Sequence, residues 1–137
     1  MMNPYATAAN AYKQVGNYSN ALAADPHKLV DMLYAGALEK IARAKGHLAR
    51  HEIAAKGRCI TQAIDIVVEL KAGLRPAGGE ISQNLEALYD YMQRRLFEAN
   101  RTSDVALLDE VAGLIEGLRG AWNNIPQDQR VKQDAAA

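Results

Sequence analysis

The sequence predicts an all-α fold, an antiparallel up-down-up-down four-helix bundle with an N-terminal arm or short helix packed as a cap. Four segments repeat apolar residues at the three- and four-residue spacing of a helix face. Short polar or glycine-rich stretches separate these segments, which favours consecutive helices lying side by side. No segment shows the convincing alternation of apolar and polar residues that is typical of a strand.

The chain of 137 residues divides into an arm, a bundle and a tail. We expect the arm or lid at residues 1–24, the four-helix bundle at 25–125 and a flexible C-terminal tail at 126–137. The predicted helices span residues 26–50, 52–74, 80–100 and 103–124. Helices of about 20–24 residues are roughly 30–36 Å long, so the four match in length and suit a bundle.

The first two helices carry long apolar faces. The first has a clear start, because Asp25 is a good N-cap and Pro26 suits the first helical position, where its missing N–H costs nothing. The apolar arc of the second helix approaches 200°, about twice the width that a surface helix needs. Its central stripe consists of Ile53, Ile60, Ala63, Ile64, Val67 and Leu74.

The third helix has more apolar surface than a bundle core requires. Tyr89 and Tyr91 flank its stripe on opposite sides and widen the arc to roughly 160°, and Asn84 places an amide inside that arc. The stripe itself consists of Ile81, Leu85, Leu88 and Met92. For the fourth helix we expect Thr102 or Ser103 as the N-cap and Pro126 as the stop.

The first 24 residues contain half of the six tyrosines of the chain. Spaced apolar side chains stand there among alanine, asparagine and serine, namely Tyr5, Tyr12, Val15, Tyr18 and Leu22. This spacing favours an arm that packs reversibly on the bundle, and a disordered terminus is the alternative.

Composition excludes several classes of function. Sixteen basic and sixteen acidic residues cancel, so no overall charge attracts nucleic acid or anionic lipid. The start of the chain lacks the features of a signal peptide, and no stretch approaches the roughly 18 apolar residues of a membrane span. The single Cys59 excludes an internal disulfide and suits a reducing compartment. We therefore expect a soluble cytosolic protein with no nucleic-acid partner and no membrane insertion.

No motif points to catalysis, a metal or a cofactor. His47 and His51 stand four residues apart, but a metal site needs three or four converging ligands, so two exposed histidines at a helix end are favoured. The Gly78–Gly79 pair follows a helix and lacks the lysine of a phosphate-binding loop, so an interhelical loop is favoured. A metal- or cofactor-binding bundle enzyme is the weakest of the alternatives.

The surplus apolar surface of the second and third helices predicts an interaction site. Grooves of this kind receive amphipathic helices of partner proteins. The alternative is permanent cover, either by the arm or by a second copy of the chain in a homodimer. The pattern alone leaves a partner peptide and permanent cover equally favoured, and it leaves open a self-associating structural bundle.

An ordered set of motifs resembles the flagellar secretion chaperone FliS family over residues 9–125. Each motif is ordinary helix sequence, but the set in unbroken order is highly specific. Two departures are Asp25, where a serine is usual, and Ala35, where an aspartate is usual. The motifs include Ala11-Tyr12-Lys13-Gln14-Val15, Asp25 to Leu38, Lys56-Gly57, Gly79-Glu80-Ile81, Leu88-Tyr89-Asp90-Tyr91-Met92 and Ala121-Trp122.

The resemblance implies a cytosolic chaperone that is not an enzyme. Such a chaperone binds the disordered C-terminal segment of flagellin, one to one, prevents premature polymerisation and assists delivery to the flagellar type III export gate. The client becomes partly helical as it binds, so apolar burial must exceed the ordering cost. The cytoplasmic domain of the export gate is a second implied partner, and other flagellar regulators are further candidates.

The resemblance also assigns roles to particular residues. Tyr12 lies in the motif that the family uses as a mobile cover and for docking at the export gate, and Tyr18 joins it by local argument. Asn84 is expected to hydrogen-bond to the backbone of the partner. The predicted flagellin groove consists of Leu33, Tyr34, Ile64, Val68, Leu70, Asn84, Leu85, Leu88, Tyr89, Tyr91 and Met92. Core packing is the alternative role for several of these residues.

Overall fold

The computed structural model describes residues 25–130, which form four long α-helices joined by short connections. No strand occurs within that range, so the predicted all-α fold class is confirmed. Each helix begins and ends within two residues of the expected bounds. The helices are α1 (Pro26–Ala49), α2 (Ile53–Ala72), α3 (Gly79–Thr102) and α4 (Val105–Asn123), and two short 3-10 helices span Pro76–Gly78 and Gln127–Gln129.

The four helices pack in a ring in which each contacts two neighbours. Helix α1 packs on α2 and α4, and α3 packs on the same two helices. Because the connections are short, consecutive helices run antiparallel. We call the end that contains the α1–α2 and α3–α4 connections the turn end. The opposite end, where α1 and α3 begin and α2 and α4 finish, is the pocket end.

The helix starts show one confirmed prediction and one error. Asp25 Oδ1 accepts a hydrogen bond from Lys28 N at 3.1 Å, with Pro26 in the first turn as expected. Helix α4, however, is capped by Asp104, whose Oδ1 accepts from Ala106 N at 2.9 Å. The prediction of Thr102 or Ser103 was wrong because α3 extends through Thr102, and the left-handed backbone of Ser103 (φ 54°) then turns the chain.

The core fills the space between all four helices. Tyr34 of α1 and Tyr89 of α3 meet across it, with their hydroxyl oxygens 2.6 Å apart. Each hydroxyl thereby has a partner in an apolar setting, and burial raises the pKa of both phenols. The buried apolar residues also include Ala37, Ile41, Ala44, Ile60, Ala63, Val67, Leu70, Met92, Leu96, Leu108, Val111 and Ile115.

One buried cation closes the turn end. Lys56 is 2% exposed, and its Nζ donates to Asn100 O at 2.9 Å and to Ser103 Oγ at 3.0 Å. A lysine at this position satisfies a carbonyl at the C-terminus of α3, where the helix dipole also favours a positive charge. The start of α2 is therefore attached to the end of α3.

The helices also bear on membrane insertion. Within residues 25–130, no helix combines the length and the apolar character that crossing a membrane requires.

Candidate binding surface

An apolar pocket of about 490 Å³ opens at the pocket end of the bundle. All four helices contribute to it, together with the loop that follows α2. An engineered cavity of about 150 Å³ accepts one benzene ring, so this pocket has room for roughly three rings or branched side chains. Its lining consists of Pro26, Leu29, Val30, Leu33, Tyr34, Glu69, Leu70, Ala72, Gly73, Leu74, Arg75, Leu85, Tyr89 and Trp122.

The pocket exists because the helices do not fill this end of the core. Buried residues such as Leu33, Tyr34 and Tyr89 form part of its lining. Leu29, Val30 and Leu85 lie closer to the helix ends and are only half-buried. A helix begins at each of Pro26 and Gly79 at this end, so no further turn of α1 or α3 covers these side chains. Residues 25–130 therefore leave apolar surface uncovered at this end of the bundle.

Trp122 joins the last turn of α4 to the first turn of α1. Its indole ring stacks on the imidazole of His27 with ring centroids 4.6 Å apart and an interplanar angle of 10°. Trp122 Nε1 donates to His27 O at 2.8 Å, and His27 Nε2 donates to Trp122 O at 2.9 Å. These reciprocal contacts join the first turn of α1 to the last turn of α4 on one side of the pocket.

A polar network supports the same corner of the bundle. Asp31 accepts from Arg119 Nε at 2.8 Å and from Asn123 Nδ2 at 2.8 Å, which connects α1 to α4 one turn from the His27–Trp122 pair. The hydrogen bond from Arg119 lowers the pKa of the Asp31 carboxyl. At the opposite rim, burial raises the pKa of the Glu69 carboxyl. The pocket thus has apolar walls with charged groups at its edges.

The structure brings five of the predicted groove residues together. These residues are the pocket-lining Leu33, Tyr34, Leu70, Leu85 and Tyr89. Four of them are buried, and only Leu85 is half-buried. They serve the core and form the pocket floor at the same time, so core packing and lining are not exclusive roles here.

The other predicted groove residues lie on different faces. Ile64 and Val68 are half-buried on the flank of α2 that faces α3, where Lys71 pairs with Asp90 at 2.7 Å. Met92 is 0% exposed and belongs to the core. Tyr12 and Tyr18, predicted for the arm, lie outside the described residues.

A third group lies on the flank of α3 that faces α4. Tyr91 donates to Glu110 Oε2 at 2.5 Å, and Arg95 Nε donates to Glu110 Oε1 at 2.8 Å. These two bonds lower the pKa of the Glu110 carboxyl. Leu88 is half-buried on this flank, and the nearby Asn84 is exposed and available to a partner. The eleven predicted residues are therefore spread over the pocket, the core and two flanks of the bundle.

Sequence reasoning missed several residues that line or frame the pocket. Trp122 and Leu29 were not among the predicted groove residues, because the spacing of apolar residues shows which face of a helix points inward but not which end of that face stays open. Leu74 follows α2 in the loop and still reaches the pocket. For the buried His27, the sequence offers one indication of a role at the pocket end, which is its position directly after Pro26 in the first turn of α1.

No metal-binding constellation occurs among residues 25–130. His47 instead lies in the last turn of α1, where its Nδ1 is 2.8 Å from Glu52 Oε1. Arg50 Nε donates to the same carboxylate oxygen at 2.9 Å. These residues link the end of α1 to the start of α2.

Comparison with known proteins identifies the family. The family model of flagellar protein FliS matches residues 8–129 of the chain. The chain belongs to the FliS family. The flagellar secretion chaperone FliS of Salmonella typhimurium is 43% identical over 122 residues, which cover 88% of this chain and 90% of that protein.

Two further FliS relatives show similar coverage. The flagellar secretion chaperone FliS of Vibrio cholerae is 39% identical over 86% of this chain and 88% of its own length. The flagellar secretion chaperone FliSB of Pseudomonas aeruginosa is 40% identical over 86% of this chain and 94% of its own length. FliS is a family of chaperones rather than of enzymes, and the predicted resemblance is confirmed.

Proposed function

We propose that this chain is a cytosolic export chaperone that binds the C-terminal segment of flagellin, prevents its premature polymerisation and assists its delivery to the flagellar type III export gate. Membership of the FliS family supports the coarser part of this proposal, a flagellar export chaperone. The apolar pocket at the pocket end is the observation that supports a client with apolar side chains. No cofactor takes part in this function.

The pocket suits a segment that is disordered before it binds. Such a segment loses conformational entropy on binding, so it needs concentrated apolar burial to compensate. Leu29, Val30 and Leu85 offer half-buried surface that an entering side chain would cover completely. Fully burying one large apolar side chain contributes about 1.5–3 kcal/mol, and micromolar binding needs about 8 kcal/mol, so the pocket anchors require further contacts outside the pocket to reach it.

The flanks of α3 extend the same proposal beyond the pocket. Leu88 and Asn84 lie on the α4-facing side of α3, next to the helix turns that carry Leu85. A client that continues past the pocket would cover Leu88 and reach the exposed amide of Asn84. The amide would hydrogen-bond to the client backbone, which fixes register where apolar contacts cannot.

The arm is proposed to compete with the client for the pocket. Residues 1–24 are joined through Asp25 to Pro26, which itself lines the pocket. The apolar residues of the arm therefore begin within a short reach of the apolar walls. Tyr12 and Tyr18 are proposed to dock at the cytoplasmic domain of the export gate once the client has displaced the arm.

The test is calorimetry with a purified C-terminal flagellin peptide. We expect a stoichiometry of one to one, a negative heat-capacity change and a gain of helix by circular dichroism. Absence of binding heat at micromolar concentrations over a range of temperatures would reject flagellin as the client. Concentration-dependent sedimentation without any response to flagellin would favour the self-associating bundle instead.

A matched pair of variants tests whether the pocket is the site. Leu85→Ser changes a half-buried pocket residue, and Leu107→Ser changes a half-buried residue of α4 near the turn end. We expect Leu85→Ser to weaken flagellin binding at least tenfold, which is about 1.4 kcal/mol, while Leu107→Ser leaves it within twofold. Equal weakening by both variants would show a general loss of stability rather than loss of a site.

The role of the arm has its own test. Tyr12→Ala should leave the unfolding temperature of the free protein unchanged within about 2 °C, which corresponds to well under 1 kcal/mol. The same variant should weaken binding of the flagellin-loaded chaperone to the cytoplasmic domain of the export gate. A large fall in unfolding temperature would assign Tyr12 to the core instead.

A further inference from the structure

Phe97 is the only phenylalanine of the chain, and its side chain is 65% exposed on α3. It lies five residues before the end of the helix, close to the turn end. Single exposed apolar residues are common, so exposure alone does not identify a binding surface. The neighbours of Phe97 are what make this position unusual.

The side chains around Phe97 on α3 are polar or basic. Residues three and four positions away share its surface, and these are Gln93, Arg94, Asn100 and Arg101. None of the four is acidic. Arg101 is paired with Glu98, whereas the exposed Arg94 forms no ion pair within residues 25–130 and has its guanidinium 6.0 Å from the Tyr91 ring centroid.

Helix α2 continues this surface. Lys56 Nζ bonds to Asn100 O, and a Cβ on Gly57 would lie 3.6 Å from Asn100 Oδ1, so this part of α2 lies beside the end of α3. Because the two helices are antiparallel, helix geometry places Thr61 opposite Phe97. Thr61 is exposed, and so is Arg58, which forms no ion pair among the described residues.

Further residues define the limits of the surface. Ile53, at the first position of α2, is 55% exposed and extends the apolar part towards the turn end. The nearest acid in the opposite direction is the half-buried Asp65, one turn beyond Thr61. We name the set Ile53, Arg58, Thr61, Arg94 and Phe97 the Phe97 surface.

We propose that the Phe97 surface docks an acidic amphipathic helix of a partner protein. Phe97 supplies a large apolar anchor, and phenylalanine and arginine are both enriched in protein interfaces. Arg58 and Arg94 are exposed and form no ion pair among the described residues, so carboxylates on the partner complement them. A helix suits this surface because α2 and α3 pack side by side and present Thr61 and Phe97 from neighbouring turns.

Charge argues against a second copy of the chain as the occupant. A two-fold contact centred on Phe97 would bring the arginine-bearing surfaces of the two protomers together, because such a contact joins the same patch to itself. The juxtaposition of like charges is unfavourable. An acidic partner removes that repulsion.

The Phe97 surface is separate from the pocket. Phe97 and Leu85 are twelve residues apart on α3, which is about 18 Å along the helix axis and about 120° around it. A client in the pocket therefore leaves Phe97 free, and the proposal does not depend on the identity of that client.

The test uses two helix-stabilised peptides of about 14 residues, four helical turns, with the same leucine anchors. One peptide carries glutamate on its polar face and the other carries lysine. Each is titrated into the full chain, and binding is followed by fluorescence anisotropy and by amide shifts in NMR spectra. We expect the glutamate peptide to bind and to shift amides of residues 58–61 and 94–101.

Variants link that binding to individual side chains. Phe97→Ser should weaken binding of the glutamate peptide at least tenfold. Arg94→Glu should also weaken binding of the glutamate peptide, and it should strengthen binding of the lysine peptide. Val105→Ser, at a residue that is 44% exposed on α4, and Arg43→Glu, at an exposed position on α1, are the matched controls and should change nothing.

Three results would overturn the proposal. The first is equal binding of the two peptides, which removes the role of charge. The second is displacement of the glutamate peptide by a flagellin peptide, which would make this surface part of the flagellin site. The third is dimerisation that Phe97→Ser abolishes, which would identify a second copy as the occupant.

Discussion

The two ends of the bundle differ in how their side chains are paired and packed. At the turn end, Lys56 satisfies the last turn of α3 from within the core, and Glu52 links His47 and Arg50 between α1 and α2. At the pocket end, half-buried apolar residues such as Leu29 and Leu85 surround an open space. One end is held together by polar contacts, and the other contains an open apolar pocket.

This difference separates stability from binding along the axis of the bundle. Polar contacts at the turn end hold the helices together there, and Phe97 and Ile53 remain exposed on its outer surface. The pocket end can then leave its apolar side chains incompletely packed, because the His27–Trp122 pair and the Asp31–Arg119 pair hold α1 against α4 beside the opening. Variants at the turn end should therefore change the stability of the fold, and variants at the pocket end should change the affinity for the client.

Trp122→Ala should have the largest effect. It should lower both the stability of the fold and the affinity for the flagellin peptide, so it does not follow the separation between the two ends. The variant removes the ring that stacks on His27, one wall of the pocket and the donor to His27 O. We expect a loss of about 3 kcal/mol in the free energy of unfolding, measured in urea, and loss of the flagellin peptide affinity.

The variant Trp122→Phe separates the contribution of the stacked ring from that of the Nε1 hydrogen bond. Trp122→Phe keeps a stacked ring and removes the Nε1 donor, so about 1 kcal/mol should be lost and most of the affinity retained. Full stability in Trp122→Ala would contradict the role of this residue in holding α1 to α4.

Lys56→Met should lower the stability of the fold without changing the affinity for the flagellin peptide, because it acts at the turn end alone. Methionine fills a similar volume but leaves Asn100 O and Ser103 Oγ without their donor. An unsatisfied buried polar group costs about 1–3 kcal/mol, so we expect a loss of about 2 kcal/mol in urea unfolding. The affinity for the flagellin peptide should stay within twofold at a temperature where the variant is folded, and a tenfold weakening would show that the two ends are coupled.

The smallest expected effect concerns pH. The pKa of Asp31 is lowered in the folded state by Arg119, so its stabilising effect is present above the unfolded pKa of about 3.9 and is lost as pH falls through the folded pKa. Asp31→Asn should therefore cost about 0.5 kcal/mol at pH 7 and progressively less below about pH 4. Urea unfolding at several pH values measures this difference.

The turn end of the same seam supplies the control. Asp109 pairs with Lys45 at 2.5 Å, but its side chain is 55% exposed, against 25% for Asp31. Water screens the more exposed pair, so Asp109→Asn should cost less than Asp31→Asn at pH 7. A cost for Asp31→Asn that does not vary with pH would show that the variant acts through packing instead of charge.

Much of the fold could be predicted because it depends on local signals. The spacing of apolar residues predicts four helices, and Asp25 with Pro26 marks the start of α1. The cap of α4 was missed by one or two residues, since Thr102, Ser103 and Asp104 are adjacent and all are possible caps. Which of them caps the helix depends on where α3 ends, and sequence patterns give helix ends less reliably than helix centres.

The candidate site was harder to predict than the helices. A helical stripe shows which residues face inward, but it does not show how deeply each lies once neighbouring helices are in place. Met92 and Leu85 share one stripe of α3, yet Met92 is buried in the core while Leu85 lines an open pocket. Their position along the bundle axis makes the difference.

The sequence by itself determined the all-α class, the four helices and the membership of the FliS family, because periodicity, capping and ordered motifs are all properties of the linear chain. Only the tertiary structure decided which side chains meet. His27 and Trp122 are 95 residues apart and lie in direct contact at the pocket end. Such pairs arise from the way antiparallel helices bring distant turns to the same end, and this arrangement creates the pocket.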